Sequence, residues 1–304
     1  RRKTPQSMPD FTNFLAGYIG GTVGIVFGYP MDTIKTRQQI LGVKRFWRCA
    51  FLTYRNEGIH GFYKGMTIPM LSTGAVNSIF FGVYGNTLEF LRWSCKGELK
   101  PSYRDVYLAG CVGGFAQLFV ACPIDIIKIK LQIQTESRPG CINEWKYECP
   151  LERYYGSWDC ARKLYKKHGI SSLYRGFLSM ALRDVKSFGI YMLTYKWTLD
   201  MASVNANETS YRDITWILIA GALAGMTSWI FVVPLDVIKS KLQGDNFKDP
   251  VYKGTLDCIR KTYREEGAES FFRGTTALML RSIPLNSATF LFYTISLSYL
   301  RRLE

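Results

Sequence analysis

Four ionisable side chains interrupt otherwise apolar stretches of this sequence: Arg183, Asp184, Lys186 and Arg281. Charged groups inside such stretches are costly and usually serve a function. The guanidinium groups of Arg183 and Arg281 can each grip a carboxylate through two parallel hydrogen bonds, and the carboxylate of Asp184 can pair with an ammonium group. These residues predict a binding site for a small zwitterion. The alternative for Arg183 is an internal ion pair with Asp184 and no ligand.

A second charged pattern, Pro-x-Asp-x-x-Lys-x-(Arg/Lys)-x-Gln, occurs three times and begins at Pro30, Pro123 and Pro234. Proline inside a helix removes a backbone hydrogen bond and kinks it, and an aspartate and a lysine three residues apart share one helix face. Three kinked helices could therefore converge and close one end of a cavity with these charges. The alternative is that the charges only cap helices at a membrane surface. The polar members of the three strings are Asp32, Lys35 and Gln39; Asp125, Lys128 and Gln132; and Asp236, Lys239 and Gln243.

Six apolar segments must position these residues, and each is near or above the length of about 20 residues that a helix needs to cross a bilayer. Four of them contain no charged residue, which argues against a soluble helical-repeat scaffold that binds a protein partner. A formal net charge of +15 suits anionic lipid headgroups better than nucleic acid beside such segments. With two histidines and no nucleophile–base pair, an enzyme is not expected. The segments are 11–31, 66–88, 106–124, 177–195, 214–235 and 275–300.

A further string repeats behind each proline string and ends in aromatic-basic-Gly at Gly65, Gly176 and Gly274. Three cysteines at equivalent positions indicate packing rather than disulfides. Glycine pairs four residues apart precede each proline and predict close helix approach. Each repeat thus reads as a spanning helix, a short surface helix (near 46–56, 157–167 and 255–265) and a second spanning helix. The expected repeat bounds are 11–100, 101–205 and 206–302, the cysteines are Cys49, Cys160 and Cys258, and the pairs are Gly17/Gly21, Gly110/Gly114 and Gly221/Gly225.

The two strings, each found three times in register over residues 11–302, resemble those of the mitochondrial carrier family. The resemblance implies an all-α membrane protein: a pseudo-threefold barrel of six tilted helices with short helices on the matrix side, alternating access and no cofactor. It also implies the inner mitochondrial membrane, both termini towards the intermembrane space, and a monomer. The implied matrix gate is a ring of three ion pairs braced by the glutamines: Asp32–Lys128, Asp125–Lys239 and Asp236–Lys35.

The opposite, cytoplasmic gate departs from the family pattern. The aromatic positions survive as Tyr84, Tyr195 and Tyr293, but Gly85 and Lys196 are among the residues at the positions where relatives carry acids, and leucines occupy the basic positions. These residues cannot form a ring of ion pairs. We therefore expect a weak gate that closes through packing and tyrosines, a resting state with the matrix side shut, and uniport as well as exchange.

The family's three substrate contact points correspond to Ser72, Arg183 and Arg281, and Arg183-Asp184 is similar to the carnitine/acylcarnitine and basic amino-acid branch. The predicted cargo is therefore an amino-acid-like or carnitine-like zwitterion or cation. Trp229 could cradle a quaternary ammonium, or it could be a packing residue. The alternatives within transport are an uncoupler-like proton or fatty-acid carrier and a carboxylate carrier. Lys186, which either snorkels away or meets a second anion, and Asn77 complete the candidate set.

The aromatic-basic-Gly ends, together with Tyr154-x-Gly156 and Tyr252-x-Gly254, are similar to the family's cardiolipin sites. Backbone amides at a helix N-terminus bind phosphate well, so cardiolipin is the expected bound lipid. Repeat 1 departs from the motif because Arg45 stands where the second glycine belongs. The predicted lipid-binding glycines are Gly65, Gly156, Gly176, Gly254 and Gly274.

Overall fold

A computed structural model describes residues 11–43, 45–94, 102–135, 153–202, 211–245 and 250–300. Every regular element among them is helical, as predicted, and long helices alternate with short ones in the expected order. Each short helix leads through a single 3-10 turn into the next long helix. The helices are α1 (Phe11–Leu41), α2 (Phe46–Glu57), α3 (Thr67–Ser94), α4 (Tyr103–Ile133), α5 (Ser157–His168), α6 (Phe177–Met201), α7 (Tyr211–Gly244), α8 (Thr255–Glu266) and α9 (Thr275–Leu300).

The three string prolines lie inside α1, α4 and α7, which continue as helices past them. By length and apolar composition alone, two helical stretches of the described residues qualify as membrane spans: Ile59–Trp93 and Tyr103–Ile133. The sequence led us to expect six. Helix α6 carries Arg183, Asp184 and Lys186 within its length, and such charges lower the hydropathy of a span that serves a polar site.

The chain divides into two compact units. Unit 1 falls within Arg1–Leu71, Leu131–Arg153 and Arg273–Glu304, and it contains α1, α2 and α9. Unit 2 falls within Ser72–Lys130 and Tyr154–Phe272, and it contains most of α3 and α4 together with α5 to α8.

In unit 1, α1 packs closely along α9. The contact depends on Gly24, because a side chain there would place its Cβ 2.9 Å from the backbone oxygen of Leu285. The glycines that the sequence singled out do not all behave this way: Gly21 has open space where its Cβ would be. The close contact between α1 and α9 therefore occurs at Gly24, about one turn nearer to the proline than Gly21, where we predicted it.

In unit 2, α6 packs against both α4 and α7. A Cβ on Gly110 of α4 would lie 2.9 Å from the backbone oxygen of Phe188, so this glycine does provide the predicted close contact. Gly221 and Gly225 of α7 have open space instead. The ring of Phe188 lies 4.7 Å from that of Phe80 of α3, which brings α3 into the same core.

Buried ion pairs hold two of the short helices against the proline helices. Arg37 of α1 is fully buried and donates to Glu57 at the end of α2 over 2.8 Å, and Lys64 approaches the same carboxylate at 2.8 Å. Lys241 of α7 pairs with Glu266 at the end of α8 over 2.8 Å. Both glutamates belong to the second repeated string.

In the second repeat, the contacts between the short helix and the proline helix are different, because His168 stands at the position of the glutamate. The buried ammonium of Lys130 donates to the backbone oxygens of Gly244 and Asp245 over 3.1 and 2.6 Å. The carboxylate of Asp245 in turn binds Arg175 of the aromatic-basic-Gly string at 2.5 Å. A residue after α7 thus takes the place of the missing acid.

The repeated cysteines are free thiols on the buried faces of the short helices that carry them, as the packing interpretation predicts. Burial raises the pKa of Cys49, Cys160 and Cys258 to about 12. The three thiols therefore stay protonated and unreactive near neutral pH.

Candidate functional site

Arg183, near the start of α6, is the centre of a buried charge cluster in unit 2. Its Nε and Nη2 donate to the two carboxylate oxygens of the neighbouring Asp184, over 2.5 and 2.9 Å. Its Nη1 donates to Asp236 of α7 over 2.7 Å. The guanidinium therefore bridges an acid of its own helix and an aspartate of the third proline string.

Arg281 of α9 makes the corresponding contact in unit 1. Its Nη1 lies 3.0 Å from a carboxylate oxygen of Asp32 in α1. The Nε of Arg281 is buried and has no hydrogen-bond partner within the part of the chain that the structure describes. One further donor of this arginine is thus available to a ligand.

The two arginines follow one rule: each pairs with the aspartate of the next repeat's proline string. Arg183 belongs to the second repeat and Asp236 to the third, while Arg281 belongs to the third and Asp32 to the first. These pairs were not predicted from the sequence, because each string aspartate was matched only to a string lysine. A usable signal was present, since a buried arginine must find an acid and the apolar segments offer few.

Of the expected ring of ion pairs, Asp125 and Lys239 are joined directly in unit 2. The pairs Asp32–Lys128 and Asp236–Lys35 stay predictions. Two of the glutamines have other partners than we expected: among the described residues, Gln132 bonds Thr33 and Thr36, and Gln243 lies beside Cys122 rather than against an Asp–Lys pair. Gln39 donates to the backbone oxygen of Arg273 over 3.3 Å.

The remaining predicted binding residues are dispersed. Ser72 is partly buried in α3, and Asn77 is exposed one and a half turns further on. Lys186 is exposed and continues the row of exposed leucines 178 and 182 along α6, since residues four apart share a helix face. It therefore extends a different stripe from the one that carries Asp184. The backbone of Trp229 lies in α7, but its side chain is outside the described residues.

A model of the mitochondrial carrier protein family matches residues 6–94, 100–205 and 213–303, one match for each repeat. This chain is a mitochondrial carrier. Its family places it in the inner mitochondrial membrane as a transporter of small-molecule solutes rather than an enzyme.

Curated relatives agree over almost the whole carrier. Solute carrier family 25 member 45 of Homo sapiens is 41% identical over 92% of this chain and 96% of its own length. Solute carrier family 25 member 48 of Homo sapiens is 37% identical, with 95% of each chain covered. The mitochondrial basic amino acids transporter of Rattus norvegicus is 34% identical over 95% of this chain and 90% of its own length.

At the other end of α6 in this carrier, aromatic rings pack against one another. The rings of Tyr191 and Tyr195 stack with centroids 6.5 Å apart and planes 4° apart. Tyr84 of α3 stacks on Phe80 at 6.1 Å. The side chain of Tyr293, the third predicted gate tyrosine, lies outside the described residues.

Lys196, which follows Tyr195 in the sequence, also has partners in this region. Lys196, which stands at one of the positions where relatives carry an acid, pairs with Asp200 one turn along its own helix at 2.9 Å. Its ammonium also lies 5.1 Å from the centre of the Tyr103 ring. Leu88 packs with the Phe80 cluster. These contacts leave packing as the main interaction around Tyr84 and Tyr195.

Proposed function

We propose that this carrier transports a solute that bears both a carboxylate and a cationic nitrogen, with basic amino acids as the first candidates. One observation supports this most strongly: Arg183 is shared between Asp184 and Asp236. An arginine and two acids in one cluster can receive both charges of a zwitterion. The relative named for basic amino acids lends support from sequence.

The mechanism we propose is an exchange of partners at Arg183. The solute carboxylate takes the place of Asp236 on Nη1 of Arg183, and its cationic nitrogen pairs with Asp184. The exchange gives each charge of the solute a partner of opposite sign. The released Asp236 must in turn pair with another cation, because an unpaired buried charge is costly, about 3–5 kcal/mol when one partner of a pair is removed. Asp236 therefore changes its partner as the carrier changes state.

Arg281 is the second arginine that we assign to solute binding. Its pair with Asp32, and an Nε–H that has no partner among the described residues, suit a contact with a carboxylate. Ser72, at the third contact point, offers a hydroxyl rather than a charge. We assign Asn77 and Trp229 secondary contacts, and Trp229 is the candidate for cation–π contact with an alkylated ammonium.

The gate and membrane assignments belong to the same proposal. The string aspartates and lysines close the matrix side, and Tyr84, Tyr195 and Tyr293 close the other side by packing. Both termini face the intermembrane space, and the carrier acts as a monomer. Cardiolipin binds at Gly65, Gly156, Gly176, Gly254 and Gly274; positive φ angles of 80°, 79° and 89° at Gly65, Gly176 and Gly274 favour glycine there.

The test is uptake into proteoliposomes from a panel of solutes matched in pairs. Lysine and cadaverine differ by the carboxylate, and carnitine and choline make a similar pair for a quaternary ammonium. Malate and ADP represent dicarboxylates and nucleotides. We expect lysine or carnitine to be taken up at least 10-fold faster than its partner without a carboxylate. Uptake of malate or ADP alone would overturn the proposal.

A further inference from the structure

The short helix α2 presents three exposed aromatic residues on one face, whereas the equivalent exposed positions hold Trp158, Arg162 and Tyr165 in α5 and Leu256, Arg260 and Tyr263 in α8. Trp47, Phe51 and Tyr54 are 78%, 61% and 59% exposed, and their spacing of four and three residues puts them on one side of the helix. Arg48 and Arg55 are exposed beside them. The outer surface of α2 is therefore aromatic and cationic.

No exposed acid offsets this charge on α2. Its one acidic residue is Glu57, whose side chain is 1% exposed and is bound by Arg37 and Lys64. The two helices at equivalent places each carry an acid in the first turn instead, Asp159 and Asp257.

The position of Phe51 shows the difference most clearly. Counting from the buried cysteine of each repeat, Phe51 corresponds to Arg162 in α5 and to Arg260 in α8, and both arginines are exposed. A large apolar side chain thus replaces a charged one at the centre of the exposed face. An exposed aromatic cluster of this kind marks an interaction surface.

The beginning of α2 differs as well. Gly156 and Gly254 immediately precede α5 and α8, whereas the exposed Arg45 precedes α2, and the backbone is extended at all three positions. This arginine stands where the lipid-associated glycine is missing from repeat 1. The same helix therefore has a changed N-terminus and a changed outer face.

We propose that the outer face of α2 inserts into the anionic membrane surface beside it. Tryptophan and tyrosine favour the boundary between headgroups and acyl chains, and aromatic residues with flanking arginines are the composition of an interfacial helix. Trp47, Phe51 and Tyr54 enter the acyl boundary, and Arg45, Arg48 and Arg55 bind lipid phosphates. Repeat 1 thereby replaces binding of one lipid at a helix N-terminus with insertion of a helix face.

Lipid fits this face better than a protein partner for two reasons. Helix α2 lies between α1 and α3, which both belong to predicted spanning segments, so its two ends are tied to the membrane boundary. Its free charges are all positive, which complements a leaflet that contains anionic phospholipid. The proposal does not depend on which solute the carrier moves.

The test compares the water accessibility of one position in the three repeats. Phe51→Cys, Arg162→Cys and Arg260→Cys are reconstituted separately into cardiolipin-containing liposomes and reacted with a membrane-impermeant maleimide. Because the three sites lie at equivalent places in the repeats, mixed orientation affects them equally. We expect the cysteine at position 51 to react at least 5-fold more slowly than the other two, with all three alike in denaturant.

The carrier without an added cysteine gives the background from the eight native cysteines, which is subtracted; the high pKa of Cys49, Cys160 and Cys258 keeps the share of these three small. Equal rates at the three positions in liposomes would overturn the proposal. So would slow reaction at position 51 only in intact mitochondria, because that result would indicate a protein partner. Phe51→Arg supplies a second measurement: it should lower the melting-temperature gain from cardiolipin, while Arg162→Phe should not.

Discussion

In unit 2, different interactions stabilise the two ends of α6. At one end, Arg183 binds Asp184 and Asp236 while Lys239 binds Asp125. At the other end, Tyr191, Tyr195 and Tyr84 pack through their rings. Asp184 and Tyr195 are eleven residues apart, which is roughly 16 Å along a helix. We refer to these regions as the charged end and the tyrosine end.

The charged end and the tyrosine end respond to different changes. A buried charge must keep a partner, so the charged end changes state only when another charge takes over that role. Ring packing is less directional and contributes about 0.5–1.5 kcal/mol per pair beyond area burial. A zwitterionic solute can therefore control the charged end, whereas the tyrosine end opens at a cost that any solute could meet.

The largest expected effect comes from removing the shared arginine. Arg183→Ala leaves two buried carboxylates without their cation, so we expect lysine uptake to fall at least 100-fold. Arg183→Lys is the matched control, because it keeps the charge but loses the two-bond contact, and it should retain about a tenth of the activity. Thermal unfolding checks the fold. An alanine variant with more than a tenth of wild-type uptake would contradict the account.

The next effect tests the charged end without changing the solute contacts. Asp125→Asn weakens the pair with Lys239 and leaves Arg183 in place. Uptake should fall about 10-fold while lysine binding, measured by the shift in melting temperature, changes less than 2-fold. A parallel loss of binding would place Asp125 in the solute site instead.

A smaller effect is expected at the tyrosine end. Tyr195→Ala removes a stacked ring and should change uptake by about 3-fold. Tyr195→Phe keeps the ring and should match the wild type, because packing is the interaction we assign to this residue. If the phenylalanine variant were as impaired as the alanine variant, a hydrogen bond of the hydroxyl would have to be part of the gate.

The smallest effect is expected at Lys186, which the sequence placed with the binding residues. Since it extends a row of exposed leucines, Lys186→Gln should change the KM for lysine by less than 2-fold. Arg281→Gln, measured beside it, should raise that KM at least 10-fold. A comparable effect of both variants would put Lys186 back in the site.

Much of the fold of this carrier could be predicted from the sequence, because the same residue patterns occur three times. The helix order, the surface helices and the Asp125–Lys239 pair follow from strings that repeat in register. The pairs Arg183–Asp236 and Arg281–Asp32 were not predicted. Each joins an aspartate that occurs in all three repeats to a contact point that is arginine in only two of them, so the repeated strings do not indicate the pairing. The contacts of Gln132 and Gln243 were missed for a related reason, since a neutral amide accepts many partners.

In the proposed mechanism, Asp236 and a solute carboxylate compete for Arg183. Equilibrium binding of lysine to the detergent-purified Asp236→Asn variant tests it, with cadaverine as the control that lacks a carboxylate. Because the variant releases one contact of Arg183, we predict that lysine binds about 10-fold more tightly, near 1.4 kcal/mol, although uptake falls, and that cadaverine binding is unchanged. Weaker or unaltered lysine binding would contradict the exchange of partners at Arg183.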